Sequence, residues 1–204
     1  MAEVSSDLAS LLAQQAPEAA PLLLGAVLAV ESDAGPTAVA LTEVEAYMGE
    51  EDPASHAFRG PTSRNRSMFG PPGTLYVYRA YGIHWCANVA TGATGLGQAI
   101  LLRGGIPMVG EELMRARRRR NDHLTDGPGR LAQALGLSGD HDGADLLGSG
   151  PVRLTLAGIS GTVESRERVG IAVARDRLWR FVLNDASQPG SERLLRVGPE
   201  HDGP

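Results

Sequence analysis

The chain has 204 residues, 42% hydrophobic and 21% charged, with a net charge of −5 at pH 7. That suits a soluble globular protein, and it is enough chain for one domain over residues 1–204 with a real core. The single cysteine, Cys86, excludes an internal disulfide, a cysteine zinc cluster and an iron–sulfur site, and points to a reducing, intracellular setting. All 19 basic residues are arginine, so a lysine Schiff base and a Walker-type phosphate loop are excluded as well.

In chain order, residues 6–15 predict a short helix, within an N-terminal stretch (1–17) expected to be loosely ordered. The longest apolar run, 19–30, contains Pro21 and Gly25. It is too short to cross a bilayer and lacks a basic leader, so it predicts neither a membrane span nor a secretory signal, but a helix end running into a core strand. Strands are predicted over 22–30 and 38–47, joined by a turn at "ESDAGP". In the second, strict alternation puts Val39, Leu41, Glu43, Glu45 and Tyr47 on one face, an apolar row that turns acidic where core gives way to a pocket. The long connection 49–73 carries His56, Arg64, Arg66 and Met68, and connections of that length are usually functional or mobile.

Strands over 75–78 and 83–89 follow, with "RAYG" as the bend, which sets Tyr81 near the tip of a protruding hairpin. "QAILLRGG" predicts a strand closing on Arg103. "MVGEELMRARRRR" is a helix with acids at its start and arginines at its end, as the helix dipole favours, and "TDGPGRLAQALGL" a short helix capped by Gly136. After a loop over 140–145, "VRLTLAG", "RVGIAVA" and "LWRFVL" are late strands, and 197–204 frays. Roughly seven strands and three or four short helices, without regular alternation, argue against a doubly wound parallel sheet. The expectation is a mixed α+β fold: one compact domain with a curved, mostly antiparallel sheet and peripheral helices.

The acidic average hides a basic block. From 53 to 110 there is no Asp or Glu, but there are arginines at 59, 64, 66, 79 and 103. "RARRRR" (115–120) adds five more, equally readable as a solvated helix face. Seven of the nine Phe, Trp and Tyr residues fall between Tyr47 and Trp85. Aromatics interleaved with arginines suit base stacking beside phosphates, and a local aromatic sub-core is the competing explanation.

The ordered motifs "EVEAY", "DPASHAF", "RNRSMFGPPGTLYVYRAYG", "CANVA", "AILLR", "DGPGRLAQALG" and "RVGIA" resemble the alkyladenine (3-methyladenine) DNA glycosylase family over residues 24–183. The resemblance implies a mixed α/β domain that excises alkylated or deaminated purines (3-methyladenine, 7-methylguanine, hypoxanthine, ethenoadenine) from double-stranded DNA. It implies a cytoplasmic or nucleoid bacterial-type monomer with no metal and no cofactor. Glu45 matches the general base, Arg103 the residue that holds the attacking water, and the carbonyl of Val169 its third contact. Tyr47, His56 and Tyr78 match the pocket around the flipped purine, and Asn88 the screen against the guanine amine. Tyr81 matches the wedge, with Ile83 and His84 beside it in the groove; His84 stands where the family often has another residue. Arg64, Arg66 and Met68 join the DNA-binding set. With no lysine for a Schiff base, a water-using enzyme leaves an intact abasic site. Two rivals are a non-cutting reader of distorted DNA and a hydrolase of free nucleosides.

Overall fold

The computed structural model describes residues 2–156 and 160–187. Two short helices lead in, α1 (Ala2–Leu12) and α2 (Ala16–Leu22). The strands are β1 (Val27–Val30), β2 (Thr37–Met48), β3 (Leu75–Ala80), β4 (His84–Thr91), β5 (Gln98–Val109), β6 (Val152–Thr155), β7 (Ser160–Arg166) and β8 (Arg180–Ser187). Helices α3 (Glu111–Arg118) and α4 (Pro128–Leu135) lie between β5 and β6. The fold is mixed α/β. A curled sheet runs β3-β4-β5-β2-β1-β6, with β8 also on β2 and β7 on β8, and every pairing is antiparallel.

The core lies between this sheet and the helices. Its fully enclosed side chains include Leu12, Leu23, Leu28, Leu41, Ile100, Leu102, Met114, Leu131 and Leu135. Residues 8–16 contribute to that core, contrary to the loose order expected for this part of 1–17. Leu8, Leu11 and Leu12 fall at helical spacing and are all buried. Gln98 then accepts the Ala16 amide at 3.0 Å, tying the start of α2 to β5. Residues 197–204 lie outside the described part of the chain. Among the described residues, no helix is long and apolar enough to cross a membrane.

Three other expectations shift. Residues 22–26 close α2 instead of opening a strand. Segment 168–174 is irregular, because Gly170 and Ala174 take positive φ (79° and 52°) and break an extended path. The strand beside β8 is instead Ser160–Arg166. Finally, β5 does not close at Arg103 but continues to Val109.

That continuation matters, because β2 and β5 slip past one another in their middle. Leu41 pairs with Gly105, Glu43 with Gly104 and Val44 with Leu102, so Thr42 on β2 and Arg103 on β5 are left without partners in the register. Such extra residues bend a strand and re-aim its side chains. Before the slip, Val39 and Leu41 face the main core; after it, Val44, Ala46 and Met48 do. The acidic row therefore does not continue the apolar row, as strict alternation predicts: it has crossed to the opposite face. At the same place the free edge of β2 changes partner, from β1 (opposite 37–40) to β8 (opposite 43–45).

Two glycines permit the close approach. A Cβ on Gly105 would stand 2.8 Å from the Ala40 carbonyl and 3.0 Å from the Val39 Cβ, and one on Gly104 would stand 3.3 Å from the Glu43 Cβ. Replacing Gly105 by Ala is expected to cost about 1–3 kcal/mol by overpacking. Urea unfolding monitored by circular dichroism measures it, and an unchanged midpoint would refute the close-approach account.

Candidate active site

Crossing faces sets Glu45 directly behind the lining of a cleft of about 1180 Å³, where it touches Tyr47, Arg103 and Val169 of a lining that also includes His56, Tyr76, Tyr78 and Asn88. Glu45 is fully buried. Its Oε1 accepts the Val169 N–H at 2.7 Å and lies 3.3 Å from Arg103 Nη1, and its Oε2 accepts the Tyr47 hydroxyl at 2.8 Å. An ionised carboxylate is acceptor-only, and three donors around it match that state. Burial first, and the Glu45 charge second, push the Tyr47 phenol well above its ordinary range, so it stays a proton donor. Val169 meets Glu45 through its amide, whereas the sequence expectation concerned its carbonyl.

Arg103 also reaches Glu43, through Nε at 2.7 Å, and Arg180 Nη1 approaches the same Glu43 oxygen at 3.2 Å. Glu43, given no chemistry from sequence, is thus paired with two arginines. Burial alone would lower the Arg103 pKa, but the charges of Glu45 and Glu43 outweigh it and raise the value.

The aromatic wall is cross-braced. The His56 ring meets Tyr78 edge-on, with centroids 4.4 Å apart at 80°, while Tyr76 and Tyr78 stack at 5.5 Å. His56 Nδ1 lies 3.1 Å from the Tyr76 hydroxyl. His56 opens onto the cleft, yet these neighbours partly desolvate its ring and lower its pKa, which favours the neutral imidazole. Asn88 is buried and donates to the Tyr76 carbonyl at 3.1 Å, fixing its side chain between β3 and β4.

At the mouth, Tyr81 and Gly82 both take positive φ (51° and 69°), and the Ile83 amide donates to the Ala80 carbonyl at 3.0 Å. These are the marks of a type I′ hairpin turn. It leaves Tyr81 92% and Ile83 66% exposed, with His84 exposed beside them. Arg64 and Arg66 are exposed, and Arg64 lines the cleft. Met68 differs in exposure: it is buried against Ala57, Tyr76 and Ala99, yet it lines the cleft. Much of the Arg115–Arg120 run is likewise committed to the fold. Arg115 pairs with Glu111, Arg117 donates to Ser32 and the Ala134 carbonyl, Arg118 to Gln133, and Arg120 pairs with Asp122.

Two residues of the site lie in the quoted motifs "DPASHAF" and "RVGIA" but were given no role from the sequence. Arg168 and Asp52 form an ion pair whose side chains are both wholly buried, with Arg168 Nη2 donating to Asp52 Oδ1 at 3.0 Å. The guanidinium also donates to the Ala46 carbonyl and lies 4.7 Å from the Tyr47 ring centroid and 5.3 Å from that of Trp179. Arg168 thereby pins the irregular segment to β2, one residue before the Val169 amide that grips Glu45. The available signal was slight: an arginine heading an otherwise apolar run. Among the described residues, no three His, Cys, Asp or Glu side chains converge as a metal-ligand set.

The family model for methylpurine-DNA glycosylase matches residues 10–187. A relative from Frankia casuarinae is 47% identical over 178 residues, spanning 80% of this chain and 82% of that protein. One from Rhodopseudomonas palustris (strain HaA2) is 47% identical over 168 residues, with 81% of each chain covered. One from Cutibacterium acnes is 45% identical over 175 residues, spanning 80% of this chain and 88% of that protein. All three are provisionally named as 3-methyladenine DNA glycosylases.

Breaking one side of the buried pair leaves a stranded charge. Arg168→Met should therefore destabilise by about 3–5 kcal/mol, and Arg168→Met with Asp52→Leu by much less. A double-mutant cycle in urea measures the coupling, and simple additivity would refute the clasp.

Proposed function

The chain belongs to the methylpurine-DNA glycosylase family, hydrolases of N-glycosyl bonds in DNA, and from that premise we propose that it flips alkylated or deaminated purines from duplex DNA and releases them with a water activated by Glu45. The observation that carries this reading is the buried Glu45 carboxylate, gripped by Val169, Tyr47 and Arg103, three residues that themselves line an aromatic cleft.

A base within a duplex is out of reach, so it leaves the stack and something fills the gap. Tyr81, 92% exposed on its hairpin turn, is suited to that wedge role, with Ile83 and His84 beside it. Tyr47, His56 and Tyr78 offer ring surface to the flipped purine, with Asn88 set between strands at the same cleft. Arg64 and Arg66 meet phosphate.

In the chemical step, the C1′–N bond breaks and the purine departs with the bonding electrons. Water oxygen bonds to C1′, and the water proton passes to Glu45. The carboxylate also opposes the positive charge that builds on the sugar. Arg103 keeps two of its nitrogens on Glu43 and Glu45, and its remaining N–H groups orient the water. No amine nucleophile enters, so the product is an unbroken strand with an abasic site. The enzyme acts as a monomer on damaged purines of the 3-methyladenine, 7-methylguanine, hypoxanthine and ethenoadenine class.

Glu45→Gln should lower single-turnover base release from a lesion duplex by about 10²–10⁴-fold while lesion binding persists. Cleaved strands should appear only after alkali. Wild-type rates in the variant, or no release of any alkylated or deaminated purine by wild type, would sink the reading. Tyr81→Gly should hold or raise stability by about 1 kcal/mol, since glycine takes the left-handed turn without strain, yet weaken capture of the lesion. Unchanged binding and turnover would remove Tyr81 from the wedge role.

A further inference from the structure

The proposed chemistry uses Glu45 and Arg103 and leaves Glu43 idle, although Glu43 occupies Arg103 at its shortest contact (Nε–Oε1, 2.7 Å). Resting on the reading of Glu45 as base, we infer that Glu43 is a positioning residue: it divides the charge of Arg103 between two carboxylates and so sets both the aim of the guanidinium and the basicity of Glu45.

The geometry closes a ring. Arg180 donates through Nε to the Glu167 carbonyl at 2.8 Å and through Nη1 to Glu43 at 3.2 Å. Glu43 accepts from Arg103, which reaches Glu45 through Nη1 at 3.3 Å, and Glu45 accepts the Val169 amide, two residues beyond Glu167. Glu43 and Arg103 are thereby held by elements on both sides of β2. Glu43 is 23% and Arg180 21% exposed at the side chain, against 10% for Arg103 and none for Glu45, so the ring runs from the rim to the buried base.

Charged and titratable groups facing Glu45 come from every neighbouring element. Tyr47 lies on its own strand, Arg103 on β5, Arg180 opposite Glu45 in the β2–β8 register, and Tyr78 on β3 within reach of its charge. Arg168 lies behind Tyr47 and Cys86 beside Tyr78. Of these, Arg103 alone is shared with a second carboxylate at the site. Removing the Glu43 charge deletes a like charge near Glu45 and releases Arg103 wholly to it, so Glu45 holds a proton less readily. Removing the Arg180 charge leaves Glu43 to draw on Arg103 alone, so Glu45 holds its proton more readily.

The test is single-turnover base release against pH with one lesion duplex, for wild type, Glu43→Gln, Glu43→Asp and Arg180→Gln. The acid limb, where rate is lost as the base protonates with falling pH, should move to lower pH in Glu43→Gln and to higher pH in Arg180→Gln. The plateau rate of Glu43→Gln should fall about ten- to hundredfold as Arg103 loses its tether, with lesion binding kept and Glu43→Asp recovering part of the loss. Limbs that stay put or move the same way would overturn the inference, as would a fall in binding that parallels the rate with no limb shift. Should Glu43→Gln not fold, the upward shift in Arg180→Gln decides alone. An active Glu45→Gln would mark failure of the underlying reading; an inactive Glu45→Gln beside an unaltered Glu43→Gln marks failure of this inference only.

Discussion

The site depends on a slip of register. Between Leu41 and Val44, β2 and β5 each carry a residue the other does not pair, Thr42 and Arg103. A strand presents one face to the core for as long as its register is unbroken, and a single extra residue exchanges the faces. The exchange lets one strand serve the hydrophobic core at both ends, through Leu41 and then Val44 and Ala46, while turning Glu43, Glu45 and Tyr47 to the opposite face, where Tyr47 lines the cleft and Glu45 contacts that lining. Arg103, as the unpaired residue on β5, is aimed at both carboxylates. Gly104 and Gly105 are needed for steric reasons alone, because a Cβ at either would press on the strand opposite.

A second consequence follows at the edge of β2. Where the register slips, β1 gives way to β8, and the segment ahead of β8 is brought over the cleft. That segment has no ladder of its own. It is held by a buried Arg168–Asp52 pair with aromatic rings on either side, in which Arg168 is compensated by Asp52 and nearby hydrogen bonds, and Asp52 by Arg168 with Arg177 3.9 Å away. The Val169 amide reaches Glu45 because Arg168 is fixed. Electrostatics at this site are thus local and paired, in contrast to much of the Arg115–Arg120 run, whose charge is absorbed in bracing α3, α4 and the turn at Ser32.

Local chemistry was legible in the sequence; its spatial arrangement was less so. Short-range signals carried the hairpin, because "YG" at its bend demands positive φ, and they carried α4 with its Gly136 cap. The "EAY" spacing correctly grouped Glu45 with Tyr47. Alternation failed at Glu43 because an unpaired residue depends on the partner strand and not on its own neighbours. The apolar run from Val169 to Val173 imitated a strand, but the burial of Arg168 and two positive φ angles set its path. Met68 was grouped with the DNA-binding residues of a basic loop, and its burial depends on Tyr76 and Ala99, which pack against it from other strands. The helix at the N-terminus was foreseen, but not its burial, since a stripe of leucines does not reveal what it packs against.

The closed ring around Glu45 also imposes an order of assembly. Its base lies on β2, but the amide that grips it comes 124 residues later, and the arginine that steadies Glu43 comes 137 residues later. Chains are made from the N-terminus, and a domain generally folds as a unit. A nascent chain therefore carries Glu45 and the residues of the aromatic wall well before Arg168, Val169 and Arg180 exist. Until then Glu45 lacks the amide donor that helps hold it in the interior. On the proposed reading, hydrolytic competence arrives last, because the contacts that complete the base come from the final described strands and the segment before them.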